Sequence, residues 1–264
     1  MSKLLIHYEL EGHGIPFVFI HGLGADLQQS KELIAPVDGT WKILVDCPAH
    51  GKSSLVDSSL LSFNFMSDEI LKVVDDLNIP EFVVGGISMG AGIAMNMMDR
   101  FKHRLIGAIL VRPAWLNNPH PFNLTLMDLS RSLRDSPDPE KTFRSSPAFK
   151  ALENTIPNAA RSLLNQFDRP QGLSATIDLL HKMISDAPLE NLDKLKYFRK
   201  PVCILTNQKD PMHPAEFGLS IKEILPMALL HDVYPKYLGA QRHNSECQTI
   251  IQDFIDMHFL NHQQ

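Results

Sequence analysis

The sequence predicts an α/β fold, with a mostly parallel central sheet, helices on both faces and an inserted helical cap. Three observations carry this. Short, nearly continuous apolar runs (Phe17-Val18-Phe19-Ile20, Lys42-Ile43-Leu44-Val45, Phe82-Val83-Val84, Leu105 to Val111 and Val202 to Thr206) read as strands covered on both faces. Between them lie stretches with helical spacing, such as Phe63, Met66, Ile70, Val73, Val74 and Leu77. Polar clusters follow Ile20, Asp46, Gly85, Val111 and Thr206, at the carboxyl ends of these strands, where a parallel sheet forms its ligand crevice.

In chain order, Leu4 to Leu10 and Ile15 to Ile20 read as strands around the turn Glu11-Gly12-His13-Gly14. A helix near Gln28 to Ala35, a strand over Lys42 to Asp46 and an amphipathic helix over Phe63 to Leu77 follow. Next comes a strand ending near Gly85, a helix from Ala91 to Arg100, and the Leu105 to Val111 strand. From Arg112 to about Lys200 the alternation stops, leaving amphipathic pieces at Leu124 to Leu133, Phe149 to Asn154, Asn158 to Phe167 and Leu173 to Ile184. This divides the chain into an α/β core of residues 1–112 and 200–264 and a helical cap of residues 113–199. After the cap come the Val202 to Thr206 strand, a helix near Glu216 to Leu225, a strand near Ala228 to Val233 and a helix from about Glu246 to Leu260.

Composition narrows the function classes. With 264 residues the chain can bury a large core. A net charge of −5 argues against non-specific nucleic-acid binding, which needs clustered Lys and Arg. No apolar run approaches the roughly 20 residues of a membrane span. The amino-terminal segment lacks the apolar core of a signal peptide. Cys47, Cys203 and Cys247 are odd in number and widely spaced, which fits free thiols in a reducing cytoplasm.

The chemistry centres on Gly86-Ile87-Ser88-Met89-Gly90, which fits G-x-S-x-G between a predicted strand and a predicted helix. A strand turning straight into a helix lifts the serine hydroxyl clear of the sheet and aims the first helical N–H groups at whatever it attacks. Taken alone, five residues of this kind also form ordinary Gly/Ser turns; the strand-before, helix-after context favours the nucleophile.

On these residues, together with His21-Gly22-Leu23-Gly24 and Asn207-Gln208-Lys209-Asp210-Pro211-Met212-His213-Pro214, the chain resembles the α/β-hydrolase superfamily from about residue 4 to 260. The resemblance implies the chain order nucleophile, acid, histidine. It assigns Ser88 as nucleophile and Asp210 as the acid that orients the base, the alternative for Asp210 being a helix cap. The base it implies is His243, in the loop expected between the last strand and the last helix, where the family carries its histidine. Arg242 precedes it in place of the family's usual glycine. Of the rivals, His231 falls within a predicted strand, and His213 follows the acid too closely to reach Ser88 as well.

The oxyanion hole is implied at the backbone N–H groups of Leu23 and Met89, with His21 a structural hydrogen-bonder. Asp46 to Ser53 resembles the family's D-x-P-G-x-G-x-S loop, with Ala49 for its first glycine, and reads as structural. Arg112 and Trp115, just beyond the Leu105 to Val111 strand, are candidate substrate-binding residues. Arg112 either clamps an anionic group of the substrate or pairs with an acid of the protein. Phe122, Leu126, Met127, Leu129, Phe143, Phe149 and Phe167 of the cap suggest a partly apolar pocket, or equally the cap's own core.

The implied function is a serine hydrolase cleaving a small ester, lactone or thioester through an acyl-enzyme, without metal or cofactor. Its expected partner is a small-molecule acyl substrate. Carbon–carbon bond hydrolases and cofactor-free peroxidases share these residues. A ligand-binding signalling protein with slow turnover is the alternative from another class.

Overall fold

The computed structural model describes residues 4–133, 136–164, 167 and 182–260. Seven strands form one sheet: β1 (Tyr8–Gly12), β2 (Ile15–Ile20), β3 (Thr40–Val45), β4 (Phe82–Ile87), β5 (Leu105–Val111), β6 (Val202–Thr206) and β7 (Leu229–Asp232). Their spatial order is β1-β3-β2-β4-β5-β6-β7. The edge strand β1 is antiparallel to β3, and every other pairing is parallel.

Alternation along the central strands divides the core in two. Phe17 and Phe19 of β2 pack on one face with Leu33 and Ile34 of α1 (Leu27–Ile34) and with Ile251 and Phe254 of the C-terminal helix (Ala240–Ile255). Val18 and Ile20 pack on the other with Met66 and Ile70 of α2 (Phe63–Asp76) and Ala94 of α3 (Met89–Arg100). Both faces are thus sealed, as the unbroken apolar strands require.

Between β5 and β6 the described residues contain no strand. They form α4 (Thr125–Ser132), α5 (Pro139–Ser145), α6 (Pro147–Thr155) and α7 (Pro157–Leu164). Most of the predicted helix at Leu173 to Ile184 lies outside the described residues. Phe143 packs on Phe149 and Phe167, with ring centroids 5.0 and 5.4 Å apart, so these aromatics build the segment's own core.

Two element starts depart furthest from the sequence expectation. Pairing in the first strand begins at Tyr8, because the backbone of His7 is tied instead to the loop after β3: its N–H donates to Ser53 Oγ and its carbonyl accepts from Asp46 N–H. The last helix begins at Ala240, six residues before the expected Glu246. Ala240, Gln241 and Arg242 are good helix formers, and Arg242 pairs with Glu246 one turn on at 2.9 Å.

The loop after β3 is organised by Asp46, whose buried carboxylate accepts from Leu27 N–H at the start of α1 (2.8 Å) and Lys52 N–H (2.9 Å) and lies 2.8 Å from His7 Nδ1. Replacing it strands two backbone donors. Asp46→Ala is expected to lower unfolding free energy by about 3 kcal/mol, read from urea denaturation at pH 7.

Candidate active site

Ser88 sits between β4 and α3 with φ 59° and ψ −113°, a strained backbone for a residue with a side chain. The corner is possible only because its neighbours are glycines. A Cβ on Gly86 would run into the backbone of Gly90, and one on Gly90 into the backbone of Ile20. Ser88 N–H donates to Val111 O at 3.0 Å, which pins the corner to the end of β5.

The imidazole that meets Ser88 is that of His213: Nε2 lies 3.0 Å from Ser88 Oγ and Nδ1 lies 3.0 Å from Asp210 Oδ1. Both residues stand on one turn beyond β6. Lys209 enters it with φ 57°, Met212 N–H donates to Asp210 Oδ1 (3.2 Å), and His213 N–H donates to Asp210 O (3.2 Å). A turn closed between residues i and i+3 brings their side chains to the same side. The proximity in sequence that seemed to exclude His213 is therefore what unites it with Asp210.

Behind this turn, Arg112 and Asp210 form an ion pair with both side chains almost wholly buried. Arg112 Nε and Nη2 donate to Asp210 Oδ2 at 2.9 and 2.6 Å. Arg112 Nη2 also approaches His213 Nδ1 to 2.8 Å. A single ring nitrogen cannot both donate to Asp210 and accept from Arg112. The Nδ1–H tautomer satisfies the carboxylate, leaves Arg112 to Asp210 Oδ2 and turns a lone pair on Nε2 toward the Ser88 hydroxyl. Burial raises the Asp210 carboxyl, but attraction to His213 and Arg112 outweighs it and holds the group well below the usual carboxylate range. For His213, burial and then the Arg112 charge bring the pKa down to about 4, against the pull of Asp210.

The expected contact between His243 and Ser88 is not formed. Because the last helix starts early, His243 falls in its first turn. There its Nδ1 bonds to Tyr234 O (2.8 Å) and its Nε2 lies 3.7 Å from Cys247 Sγ. Burial first, then Arg112, lowers its pKa to about 4.

A cavity of about 170 Å³ opens at Ser88, lined among others by Leu23, Arg112, Trp115, His213, Lys236 and Tyr237. The guanidinium of Arg112 is committed to Asp210, so of its two readings the structure shows the ion pair within the protein rather than the substrate clamp. Trp115 is fully buried, edge-on to Phe63 at 5.5 Å. Of the seven apolar residues expected to line a pocket, only Met127 does so among the described residues. Met89 is the first residue of α3, so its N–H has no acceptor within the helix. The loop carrying Leu23 is held against the corner by Gln29, whose Oε1 accepts from Gly22 N–H at 2.7 Å. His21 Nε2 accepts from Cys47 N–H and Nδ1 lies 2.8 Å from Gly22 O, so this buried ring braces the loop.

Sequence reasoning weighed His213 and set it aside, and it passed over Lys236, Tyr237 and Gln29. The Asp-Pro-Met-His order, a turn-former followed by proline, was the available signal for His213. For Lys236 it was position, in the segment between the last strand and the last helix, with no histidine among residues 233–239.

Breaking a buried pair costs more than the pair contributes. Arg112→Met is expected to destabilise the fold by about 3–5 kcal/mol in urea denaturation at pH 7. The double variant Arg112→Met/Asp210→Leu should recover most of that loss.

Residues 15–236 match the family model described as alpha/beta hydrolase fold. The chain is 24% identical over 233 residues to the AB hydrolase superfamily protein YisY of Bacillus subtilis, covering 82% of this chain and 84% of that protein. It is 30% identical over 105 residues to a Mycobacterium phage D29 protein named as a non-heme haloperoxidase, a match that spans only 37% of that protein's length. Among solved structures it superposes on an esterase from Thermogutta terrifontis (TM-score 0.71, 18% identity, 96% of each chain). A meta-cleavage product hydrolase from Pseudomonas fluorescens gives a TM-score of 0.71 at 17% identity, over 96% of this chain and 95% of that one. In sequence and in fold alike, the chain belongs to the α/β-hydrolase fold family and is an α/β hydrolase.

Proposed function

We propose that the protein is a serine hydrolase of small esters or related acyl compounds, with Ser88 as nucleophile, His213 as base and Asp210 as the acid that orients it. The observation that carries this reading is the unbroken chain Ser88 Oγ, His213 Nε2, His213 Nδ1, Asp210 Oδ1, with both links at 3.0 Å. The segment 113–199 is read as the cap, with α4 and α7 supplying Met127 and Leu163 to the cavity. Three buried, unpaired cysteines fit a reducing compartment such as the cytoplasm. Among the described residues no helix is long and apolar enough to cross a membrane.

Attack of Ser88 Oγ on the substrate carbonyl forms the C–O bond as the hydroxyl proton passes to His213 Nε2. Asp210 stabilises the imidazolium, and the N–H groups of Leu23 and Met89 hold the alkoxide. Collapse of the tetrahedral adduct expels the alcohol, which takes the proton back from His213. Water, deprotonated by His213, then attacks the acyl-enzyme and frees the acid and Ser88. The cavity of about 170 Å³ is close to the volume that accommodates one benzene-sized group, so the acyl portion is small.

A fluorophosphonate probe should label the protein once. Ser88→Ala should abolish labelling, and Ser88→Ala and His213→Ala should each cut turnover of a short-chain 4-nitrophenyl ester by several orders of magnitude. His243→Ala should keep most of the activity, and loss of activity there with retention in His213→Ala would reverse the assignment.

The pH profile gives a separate check. A base acts in its neutral form, above its own pKa. With His213 at about 4, kcat/KM should stay flat from about pH 8 to pH 5 and fall only below that. An acid limb near the ordinary histidine value of about 6.5 would point to a different base.

A further inference from the structure

The cavity at Ser88 carries unbalanced charge. Its lining includes two cations, Arg112 and Lys236, and no carboxylate among the described residues. Asp210 lies behind Arg112 and neutralises it through the two hydrogen bonds to Oδ2. His213 is neutral in its resting state, so the lining keeps one net positive charge, and the carboxylate that attracts Lys236, that of Asp210, is already paired with Arg112. Among the described residues Lys236 Nζ has no hydrogen-bond acceptor and no ion-pair partner. Its ring contact is with Tyr237, whose centroid is 5.9 Å away. Repulsion from Arg112, then burial, brings the Lys236 pKa down to about 8, still high enough to keep it mostly protonated at neutral pH. A half-buried ammonium beside a second cation is unfavourable by itself, and an anion placed between Lys236 and the nucleophile removes that cost.

We infer that Lys236 is a substrate-binding residue and that the cavity takes a small acyl compound bearing a carboxylate, seated on the Lys236 ammonium while its ester carbonyl lies at Ser88. The inference rests on the hydrolase reading for the reaction, but not for the binding of the anion. A carboxylate there meets a charge held in place by the fold, since Lys236 follows Pro235 in the short segment between β7 and the C-terminal helix. The carbonyl of Pro235 accepts from Leu238 N–H at 3.0 Å, closing that segment into a turn. The ammonium takes one carboxylate oxygen, and the small cavity favours a short diacid half-ester over a long acyl chain.

The test compares mono-4-nitrophenyl glutarate with its methyl-capped diester. The wild-type ratio of kcat/KM, anionic over neutral, should be about tenfold or more. Lys236→Met and Lys236→Gln should bring that ratio near one, and Lys236→Arg should retain it. In parallel, calorimetry with glutarate should show binding to the wild type weakened about tenfold or more in Lys236→Met. A ratio near one in the wild type, or a ratio and a glutarate affinity that Lys236→Met and Lys236→Gln both leave unaltered, overturns the inference. If fluorophosphonate labelling and ester turnover are absent altogether, the hydrolase reading falls. Glutarate calorimetry then decides the anion site by itself: Lys236-dependent binding upholds it, and binding that ignores Lys236, or none, overturns it.

Discussion

The buried ion pair between Arg112 and Asp210 is the constraint on which the rest of the site depends. It joins the carboxyl ends of two neighbouring strands, β5 and β6, a junction reinforced by Arg112 N–H donating to Leu205 O at 2.7 Å. Desolvating two such charges is expensive, and their attraction offsets the cost only when geometry is close and other hydrogen bonds are satisfied. Both conditions are met here, with two donors on one carboxylate oxygen and Met212 N–H and His213 on the other. Arg112 holds its position with φ 49°, a backbone strain tolerated because strand pairing on both sides fixes the chain. Its positive charge also disfavours a second charge on the adjacent imidazole, so the pair that anchors the turn sets the electrostatics of the ring as well.

A second set of constraints holds the Ser88 corner. Strain at Ser88 persists because Gly86 and Gly90 allow the strand, the helix and the end of β2 to meet without a side chain between them. The loop after β2 then closes over the corner, tied by Gln29 below and by His21 to the backbone of Cys47. None of these tethers touches the cavity by way of a reacting group. They fix where backbone N–H groups point, which side-chain identity alone cannot describe.

The sheet was largely legible in the sequence, because strands sealed on both faces must be apolar without interruption and few other structures demand that. The place of Ser88 was legible for a related reason: glycines at 86 and 90 stand between an apolar strand and a helix, where a tight corner needs them. The position of Asp210 followed from its place just beyond β6. The imidazole partner was not legible by the same reasoning. Where a histidine points depends on one turn of φ and ψ, at Lys209 for His213 and on the register of the first helical turn for His243. Arg112 shows the same limit. Its place at the strand end could be read, but the choice between substrate and Asp210 depended on a separation of 98 residues that only tertiary packing closes.

Placing Asp210 and His213 on one turn changes which parts of the molecule must stay in register. When an acid and a base come from separate loops, three independent segments have to agree within a fraction of an ångström. Here the Asp210–His213 distance is set locally, and only the relation of that turn to the serine corner spans the fold. The segment between β7 and the C-terminal helix is thereby released from holding an imidazole. Under the proposed triad, its contact with the cavity, through Lys236 and Tyr237, becomes a place where selectivity can be altered independently of the reaction itself.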